Sequence, residues 1–202
     1  MSKLKLGIYG GTFSPPHFGH IKAAKSFLYG VGLDRLLIMP DCIPPHKEEF
    51  GAASAEDRLA MCRLAFSNLE RTEISDYEIN RGGKSYTYLT LEAFASDNVE
   101  LYFLCGTDML LTLDKWKNPE RIFELATICF IRRECDETIA GDVALKIAEF
   151  NNRFSARIIE LDHDVFEASS TDIRRNIATR SACVSGIPDA VAEYISERGL
   201  YK

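Results

Sequence analysis

The stretch "LKLGIYGGTFSPPHFGH", Leu4 to His20, decides the fold. Its first six residues (4–9) are a compact apolar run, which predicts a buried β-strand. Residues 18–29, "FGHIKAAKSFLY", carry apolar side chains at helical spacing and predict a helix. Two glycines and two prolines separate the two patterns, as in a tight turn. This part of the chain therefore predicts a strand, a turn and a helix in succession.

The same alternation continues along the chain. A helix is predicted from Ser54, where "SAED" places an acid three residues after a capping hydroxyl. Another is predicted from Asn118, followed by Pro119 as first helical residue, and a last one over 187–200 with Gly199 near its end. Further compact apolar runs predict strands at 35–39, 101–105, 126–131 and 156–161.

Strands separated by helices indicate right-handed crossovers and a mostly parallel sheet covered on both faces. We therefore expect one doubly wound, Rossmann-like α/β domain over residues 1–202. No repeat, low-complexity segment or linker divides the sequence. Sheets of this kind bind ligands beyond the C-terminal ends of their strands.

Composition limits the classes of protein that fit. The 202 residues are 46% hydrophobic and 27% charged, which is typical of a globular domain. A formal net charge of −6 argues against a broad nucleic-acid or membrane surface, so any anion site must be local. No apolar run approaches the ~20 residues that span a bilayer, and no signal peptide is expected before the first strand. We expect no nucleic-acid or membrane partner, and the oligomeric state stays open.

Cysteine and histidine usage favours a reduced, cytoplasmic protein. The six cysteines never form a CxxC pair, which fits free thiols in the cytoplasm. We interpret Cys105, Cys129 and Cys135 as buried strand positions and an adjoining loop. With four histidines and scattered cysteines, no structural metal site is expected.

The glycine-rich turn is a candidate phosphate site. Gly10 and Gly11 permit close approach of a ligand to the backbone, and the following helix N-terminus offers partial positive charge to an anion. His17 lies at the helix entrance and His20 one turn later, so both imidazoles can face the same space. Either feature alone would be an ordinary turn with incidental histidines. Their combination at a strand-to-helix junction favours phosphate binding.

This pattern, "GGTF" followed by "HFGH", resembles the signature of the HxGH nucleotidyltransferase superfamily. The resemblance implies transfer of a nucleotidyl group from a nucleoside triphosphate to a small acceptor, with release of pyrophosphate. It assigns His17 and His20 to catalysis and Gly10, Gly11, Thr12 and Phe13 to ATP binding. Catalysis by positioning and charge stabilisation suits an acceptor that is already a phosphate monoester. Mg²⁺ would arrive with the triphosphate rather than in a protein cage.

A second motif, "ASSTDIRR" (168–175), carries the complementary phosphate ligands. Ser169, Ser170 and Thr171 are good helix caps, and Arg174 stands one turn beyond on the same side. Hydroxyls, backbone N–H groups and a guanidinium together suit the β and γ phosphates. Alone, the motif would be a capped helix with a surface arginine. It resembles the "ISSTxIR" motif of bacterial nicotinate-nucleotide adenylyltransferases.

Further matches to that family imply an acceptor site. "PPHK", ending at Lys47, resembles a family loop that would direct His46 and Lys47 toward a phosphate. "SYT" resembles a helix start at which Thr87 helps to hold the acceptor. Trp116 matches the position whose indole packs on the pyridine ring, although a single tryptophan is more often part of a core. The family's acceptor is nicotinate mononucleotide.

The remaining match, "CGTDML", implies that Gly106 and Asp108 contact the nucleotide; otherwise Asp108 would be a helix N-cap. The matches span nearly the whole chain and imply adenylyl transfer from ATP to nicotinate mononucleotide, giving deamido-NAD and pyrophosphate in NAD biosynthesis. One alternative is another adenylyltransferase, such as pantetheine-phosphate adenylyltransferase, against which "PPHK", "SYT" and Trp116 argue. The other is a nucleotide-binding protein without turnover, which both histidines and Arg174 make less favourable.

Overall fold

One parallel sheet organises the part of the chain that the computed structural model describes, namely residues 2–43, 53–132, 137–162, 169–179 and 185–202. Its six strands are β1 (Leu4–Gly11), β2 (Arg35–Pro40), β3 (Thr72–Ile74), β4 (Val99–Gly106), β5 (Ala126–Ile131) and β6 (Ile158–Leu161). They lie in the order β3-β2-β1-β4-β5-β6, and every neighbouring pair is parallel.

Helices connect these strands. They are α1 (Phe18–Val31), α2 (Ala55–Ala65), α3 (Tyr77–Arg81), α4 (Thr87–Phe94), α5 (Thr107–Leu110), a 3₁₀ turn (Leu113–Lys115), α6 (Pro119–Leu125), α7 (Glu137–Phe154), α8 (Ser170–Ala178) and α9 (Asp189–Arg198). None of the helices in the described ranges combines the length and apolar character needed to cross a membrane.

The prediction of a doubly wound α/β fold is confirmed, because alternate residues of the central strands pack into two different cores. In β5, Ile128 and Phe130 join a core with α4, α6 and α7, whereas Cys129 and Ile131 join a core with α1 and α2. All six residues of β5 are buried. A strand covered on both faces is continuously apolar, which is why the sequence pattern revealed it.

The predicted strands are all present, with small shifts at their ends. β1 continues through Gly10 and Gly11, two residues beyond the predicted end, because both pair with β2. β6 begins at Ile158, two residues later than predicted. Strand β3 and helix α7 were not predicted. Cys105 and Cys129 are buried strand residues, as interpreted from the sequence, and burial raises the pKa of both thiols.

Helix ends agree with the predicted positions, but not always through the predicted contacts. The hydroxyl of Ser54 caps α2 by accepting from the Asp57 N–H at 3.0 Å. Asn118 precedes the first residue of α6 but makes no side-chain capping bond, because its backbone is left-handed (φ 56°). The last helix ends at Gly199, whose φ of 63° suits glycine.

The order of the strands creates a switch point between β1 and β4. From β1 the chain adds β2 and β3 on one side, and β4, β5 and β6 on the other. The C-terminal ends of β1 and β4 carry Gly10, Gly11 and Gly106, and they lie side by side in the sheet. A crevice at such a point is where open α/β sheets bind ligands.

Candidate functional site

The two histidines of "HFGH" form a compact pair at the start of α1. His17 is the N-cap residue: its Nδ1 accepts from the His20 N–H at 3.4 Å, and its own N–H donates to His20 Nδ1 at 3.2 Å. The ring centroids are 3.7 Å apart. His17 is buried, whereas His20 is half-buried. The structure thus brings both imidazoles to one place beside the end of β1, as the spacing predicts.

The loop between β1 and α1 is fixed by tight packing of its glycine and aromatic residues. Phe13 is only 2% exposed and has a φ of 48°, uncommon for a bulky side chain. Its ring packs edge-on against His20 at 5.0 Å and Phe66 at 6.1 Å. A Cβ atom on Gly11 would lie 3.2 Å from the Phe13 ring, so this position favours glycine. Phe13 therefore supports the loop from the core side.

A buried ion pair ties the same loop to the end of β2. Arg58 of α2 donates from Nη1 to Asp41 Oδ1 at 2.9 Å and to the Thr12 carbonyl at 3.0 Å, with its side chain 1% exposed. Its Nη2 donates to the Asp41 carbonyl at 2.7 Å. The Thr12 hydroxyl in turn donates to Asp41 Oδ2 at 2.9 Å. Sequence reasoning missed both charged residues, because no local pattern marks an arginine that folds back into the protein.

The second phosphate motif reaches the same loop. The Ser170 hydroxyl donates to the Pro15 carbonyl at 3.0 Å, and Arg174 Nη1 donates to the Ser14 carbonyl at 2.7 Å. Arg174 Nη2 also donates to Thr171 Oγ1 at 3.2 Å, as expected for residues one turn apart. The structure therefore brings together the two predicted halves of an ATP site, which are about 150 residues apart in sequence.

One detail of this helix differs from the prediction. Ser169 is at the N-cap of α8, but its side chain makes no capping hydrogen bond, and the Ser170 hydroxyl is engaged with Pro15. The expectation that these hydroxyls cap the helix is therefore wrong for Ser169. The Ser169 side chain is exposed.

The structure describes two of the predicted acceptor residues, Thr87 and Trp116, and two of the predicted nucleotide ligands, Gly106 and Asp108. Thr87 is the first residue of α4, as predicted, and is half-buried. Trp116 follows the 3₁₀ turn, and its indole meets Phe103 of β4 edge-on, with ring centroids 6.3 Å apart. Gly106 is buried and caps α5, so the alternative of Asp108 as N-cap is wrong. Asp108 is exposed in the first turn of that helix.

The segment before Thr87 is attached to the end of β2. Ser85 N–H donates to the Ile43 carbonyl at 2.9 Å, and the Cys42 N–H donates to Ser85 Oγ at 2.9 Å. The predicted phosphate ligands His46 and Lys47 lie outside the described residues. Ala168 of the second motif does so as well.

A buried carboxyl group, that of Glu78, contacts Ser85 and Thr90 on either side of Thr87. Glu78 of α3 is 6% exposed, and the Thr90 hydroxyl donates to its Oε1 at 2.5 Å. Burial raises the pKa of Glu78, opposed by hydrogen bonds from Ser85 and Thr90. No feature of the surrounding sequence "DYEINR" distinguishes this glutamate from an exposed one.

Comparison with known proteins agrees with this geometry. The model of the cytidylyltransferase-like family matches residues 8–176, which include the loop, the histidine pair and α8 up to Asn176. A protein of Desulfatibacillum aliphaticivorans named "probable nicotinate-nucleotide adenylyltransferase" is 37% identical, over 98% of this chain and 100% of its own. The chain belongs to the cytidylyltransferase-like family, among the nicotinate-nucleotide adenylyltransferases.

Other members of the family agree in sequence or in fold. A protein of the same name from Roseiflexus sp. is 37% identical, with complete coverage of both chains. The structure of the nicotinic acid mononucleotide adenylyltransferase of Plasmodium falciparum, complexed with NaAD, superposes with a TM-score of 0.75, covering 98% of this chain and 97% of that one. Their sequences are 17% identical, so this likeness concerns the fold.

Proposed function

We infer that this chain transfers the adenylyl group of ATP to nicotinate mononucleotide, giving deamido-NAD and pyrophosphate. The observation that carries this inference is the convergence of the "HFGH" loop and α8 at the end of β1, through the bonds from Ser170 to Pro15 and from Arg174 to Ser14. These elements gather imidazole, hydroxyl and guanidinium groups, all of which suit a triphosphate. Nearly full-length relatives carry the name of this activity.

The reaction requires positioning and charge stabilisation more than proton transfer. An oxygen of the acceptor's phosphate attacks the α-phosphorus of ATP, and the bond to the bridging oxygen of the β-phosphate breaks to release pyrophosphate. The phosphate nucleophile is already anionic near neutral pH, so no strong base is needed. We assign His17 and His20 to the charge that develops on the α-phosphate. Mg²⁺, carried by ATP, would offset the remaining charge.

The other binding roles follow from position. We assign Ser169, Ser170, Thr171 and Arg174 to the departing pyrophosphate. The nucleotide would be held at the C-terminal ends of β1 and β4 and by the residues that follow them, namely Gly10, Gly11, Thr12, Phe13, Gly106 and Asp108.

For the acceptor, we assign its phosphate to His46 and Lys47 and its pyridine ring to Thr87 and Trp116. A carboxylate only accepts hydrogen bonds, whereas an amide must also place its NH₂ group. The nearest acidic side chain to Trp116 in sequence is Asp114; its Oδ2 is engaged by Lys146 Nζ at 2.9 Å, whereas its Oδ1 is buried without a hydrogen-bond partner among the described residues. A site that presents mainly donors favours the nicotinate form.

Pyrophosphate release with different acceptors tests this function. With ATP and Mg²⁺ saturating, we expect kcat/KM for nicotinate mononucleotide to exceed that for nicotinamide mononucleotide by at least ~100-fold, because an unmet buried polar group weakens binding by this order. Phosphopantetheine should give no turnover above background. Equal efficiencies with the two mononucleotides would overturn the acceptor assignment. Absence of turnover with all three acceptors would favour the nucleotide-binding alternative.

The proposal extends to the whole chain as a single nucleotidyltransferase domain, residues 1–202. It is supported by the single sheet and by the packing of Ile173 of α8 with Val191 and Ile195 of α9 in one cluster with Met61 of α2. We also propose a cytoplasmic location, supported by the four cysteines within the described ranges, which are unpaired, and by the lack of CxxC spacing in the sequence.

A further inference from the structure

Tyr201, the second-last residue, contacts the loop between β1 and α1, residues 12–17. The Tyr201 hydroxyl lies 3.0 Å from Ser14 Oγ, within hydrogen-bond distance, although the two residues are 187 positions apart. Tyr201 lies beyond the segment matched by the family model, which ends at residue 176. We propose that Tyr201 is a positioning residue, which holds the 12–17 loop through Ser14 in the geometry required for adenylyl transfer; this proposal rests on the function inferred above.

Ser14 is where three separate segments meet the loop. Its carbonyl accepts from Arg174 of α8 at 2.7 Å. Its hydroxyl accepts from the Ala53 N–H, just before α2, at 3.3 Å and pairs with Tyr201. Ser14 itself is 3% exposed, so no water replaces these partners cheaply. The position of Ser14 therefore affects both the arginine assigned to pyrophosphate and the histidine three residues later.

The end of the chain is built to hold Tyr201 in place. Helix α9 ends at Gly199, and the Leu200 N–H then donates to the Ile195 carbonyl at 3.0 Å. Tyr201 has a φ of 61°, a left-handed conformation that a tyrosine adopts only when its contacts offset the backbone strain. Tyr201 packs against the cluster formed by Met61 of α2, Ile173 of α8, and Val191 and Ile195 of α9. Burial raises the pKa of Tyr201 to about 12, so its hydroxyl stays neutral through the physiological range.

Loss of this hydroxyl has a defined consequence for catalysis. The Tyr201→Phe variant keeps the ring but removes one of the two hydrogen bonds of the Ser14 side chain. A loop displaced by a fraction of an ångström places the histidine pair less well for the transition state, and a 1 Å misplacement can lower a rate about 100-fold. We expect a smaller displacement and a fall in kcat of ~5–10-fold, with the KM for nicotinate mononucleotide within ~2-fold of wild type.

The chain offers a matched control. Tyr194 of α9 also anchors the C-terminal helix through its hydroxyl, which donates to Asp57 Oδ1 at 2.8 Å, but its partner is on α2 and not in the loop. Tyr194→Phe and Tyr201→Phe should lower the Tm by similar amounts of about 1–6 °C. Only Tyr201→Phe should lower kcat. A combined Ser14→Ala/Tyr201→Phe variant should be no slower than Ser14→Ala, because both changes remove the same interaction.

The decisive experiment measures kcat, KM and Tm for these four variants, together with calorimetric affinity for a non-hydrolysable ATP analogue. The proposal is overturned if Tyr201→Phe keeps wild-type kcat, if Tyr194→Phe loses as much kcat, or if the losses from Ser14→Ala and Tyr201→Phe multiply. If the wild type shows no adenylyl transfer, the proposed function fails. The affinity for the ATP analogue then decides by itself whether Tyr201 positions the loop. Positioning predicts affinity ~3-fold weaker in Tyr201→Phe than in Tyr194→Phe, and equal affinities would refute it.

Discussion

Replacing Arg58 by leucine removes one member of a buried ion pair that holds the catalytic loop. The guanidinium contacts Asp41 Oδ1 at 2.9 Å, with side-chain exposures of 1% for the arginine and 11% for the aspartate. It also donates to the backbone carbonyls of Thr12 and Asp41. In the Arg58→Leu variant these acceptors lose a charged donor, and the Asp41 carboxylate loses the guanidinium beside it in a site of low solvent access.

The size of the effect follows from that burial. Breaking a buried pair by removing one partner lowers the free energy of unfolding by about 3–5 kcal/mol, chiefly because the other charge is left uncompensated. In a chain of about 200 residues, 1 kcal/mol corresponds to about 2–4 °C in Tm, so we expect a fall of about 6–20 °C. Adding Asp41→Asn removes the buried carboxylate charge while keeping an oxygen that can accept from Thr12. The double variant should therefore recover ~1–3 kcal/mol relative to Arg58→Leu.

Urea denaturation of wild type, both single variants and the double variant at neutral pH measures these differences directly. Arg153→Leu is a suitable control, because that arginine is exposed and lies 3.9 Å from Glu149 in a surface pair; its loss should change stability by less than about 1 kcal/mol. If Arg58→Leu lowers the free energy of unfolding no more than this control does, the buried pair does not stabilise the fold, and its contacts cannot hold the loop in place. If the double variant is less stable than Arg58→Leu, the buried carboxylate charge is not the cause of the loss.

Three further changes test the site and its surroundings. His20→Ala should lower kcat by roughly two to three orders of magnitude, about 2.7–4 kcal/mol, in a folded protein, and near wild-type turnover would remove His20 from catalysis. Arg174→Ala should weaken binding of a non-hydrolysable ATP analogue by roughly 10–100-fold in calorimetry; unchanged affinity would leave this arginine with only its contact to the loop. Burial raises the pKa of Glu78, so the stability linked to it is complete below about pH 4.5 and is lost as the pH rises through its folded-state pKa. Glu78→Gln should remove that part of the pH dependence of Tm, and a profile with the wild-type slope would contradict this.

The parts of the fold that the sequence predicts are those with a strong local pattern. β5 is a continuous apolar run buried on both faces, and its predicted and observed limits are identical. β3 has three residues, too few to show a period, and it exists because Leu36, Leu37 and Ile38 of β2 provide pairing partners. Helix α7 does have a helical period. Val143 and Phe150 belong to the core shared with α4 and α6, and Ile139, Ile147 and Phe154 pack against that core.

The candidate site divides in the same way. The proximity of "HFGH" and "SSTDIR" could be expected, because motifs with phosphate-binding chemistry belong at the C-terminal ends of parallel strands. The side chains that support the site from distant parts of the chain could not be predicted. Arg58 and Tyr201, which contact the loop, and Glu78, which contacts Thr90, are polar side chains with no periodic signature, and their partners are defined only by the folded chain. Nothing in the sequence around Ser14 points to a distant contact, yet its side chain has a partner 187 positions away.

The loop from Thr12 to His17 needs such distant partners because of what it is inferred to do. Electrostatic stabilisation of a transition state is effective when its donors are fixed before the substrate arrives, since reorganising them would consume the gain. Ordering such a segment costs conformational entropy, and Pro15 and Pro16 have no backbone N–H to donate to internal hydrogen bonds. Here three elements outside the turn contact three of its residues. Arg58 of α2 contacts Thr12, Tyr201 at the chain end contacts Ser14, and Ser170 of α8 contacts Pro15. The position of the loop is thus set by contacts from several parts of the fold, and, on the proposed function, substitutions in α2 or at the chain end should alter adenylyl transfer without touching a substrate.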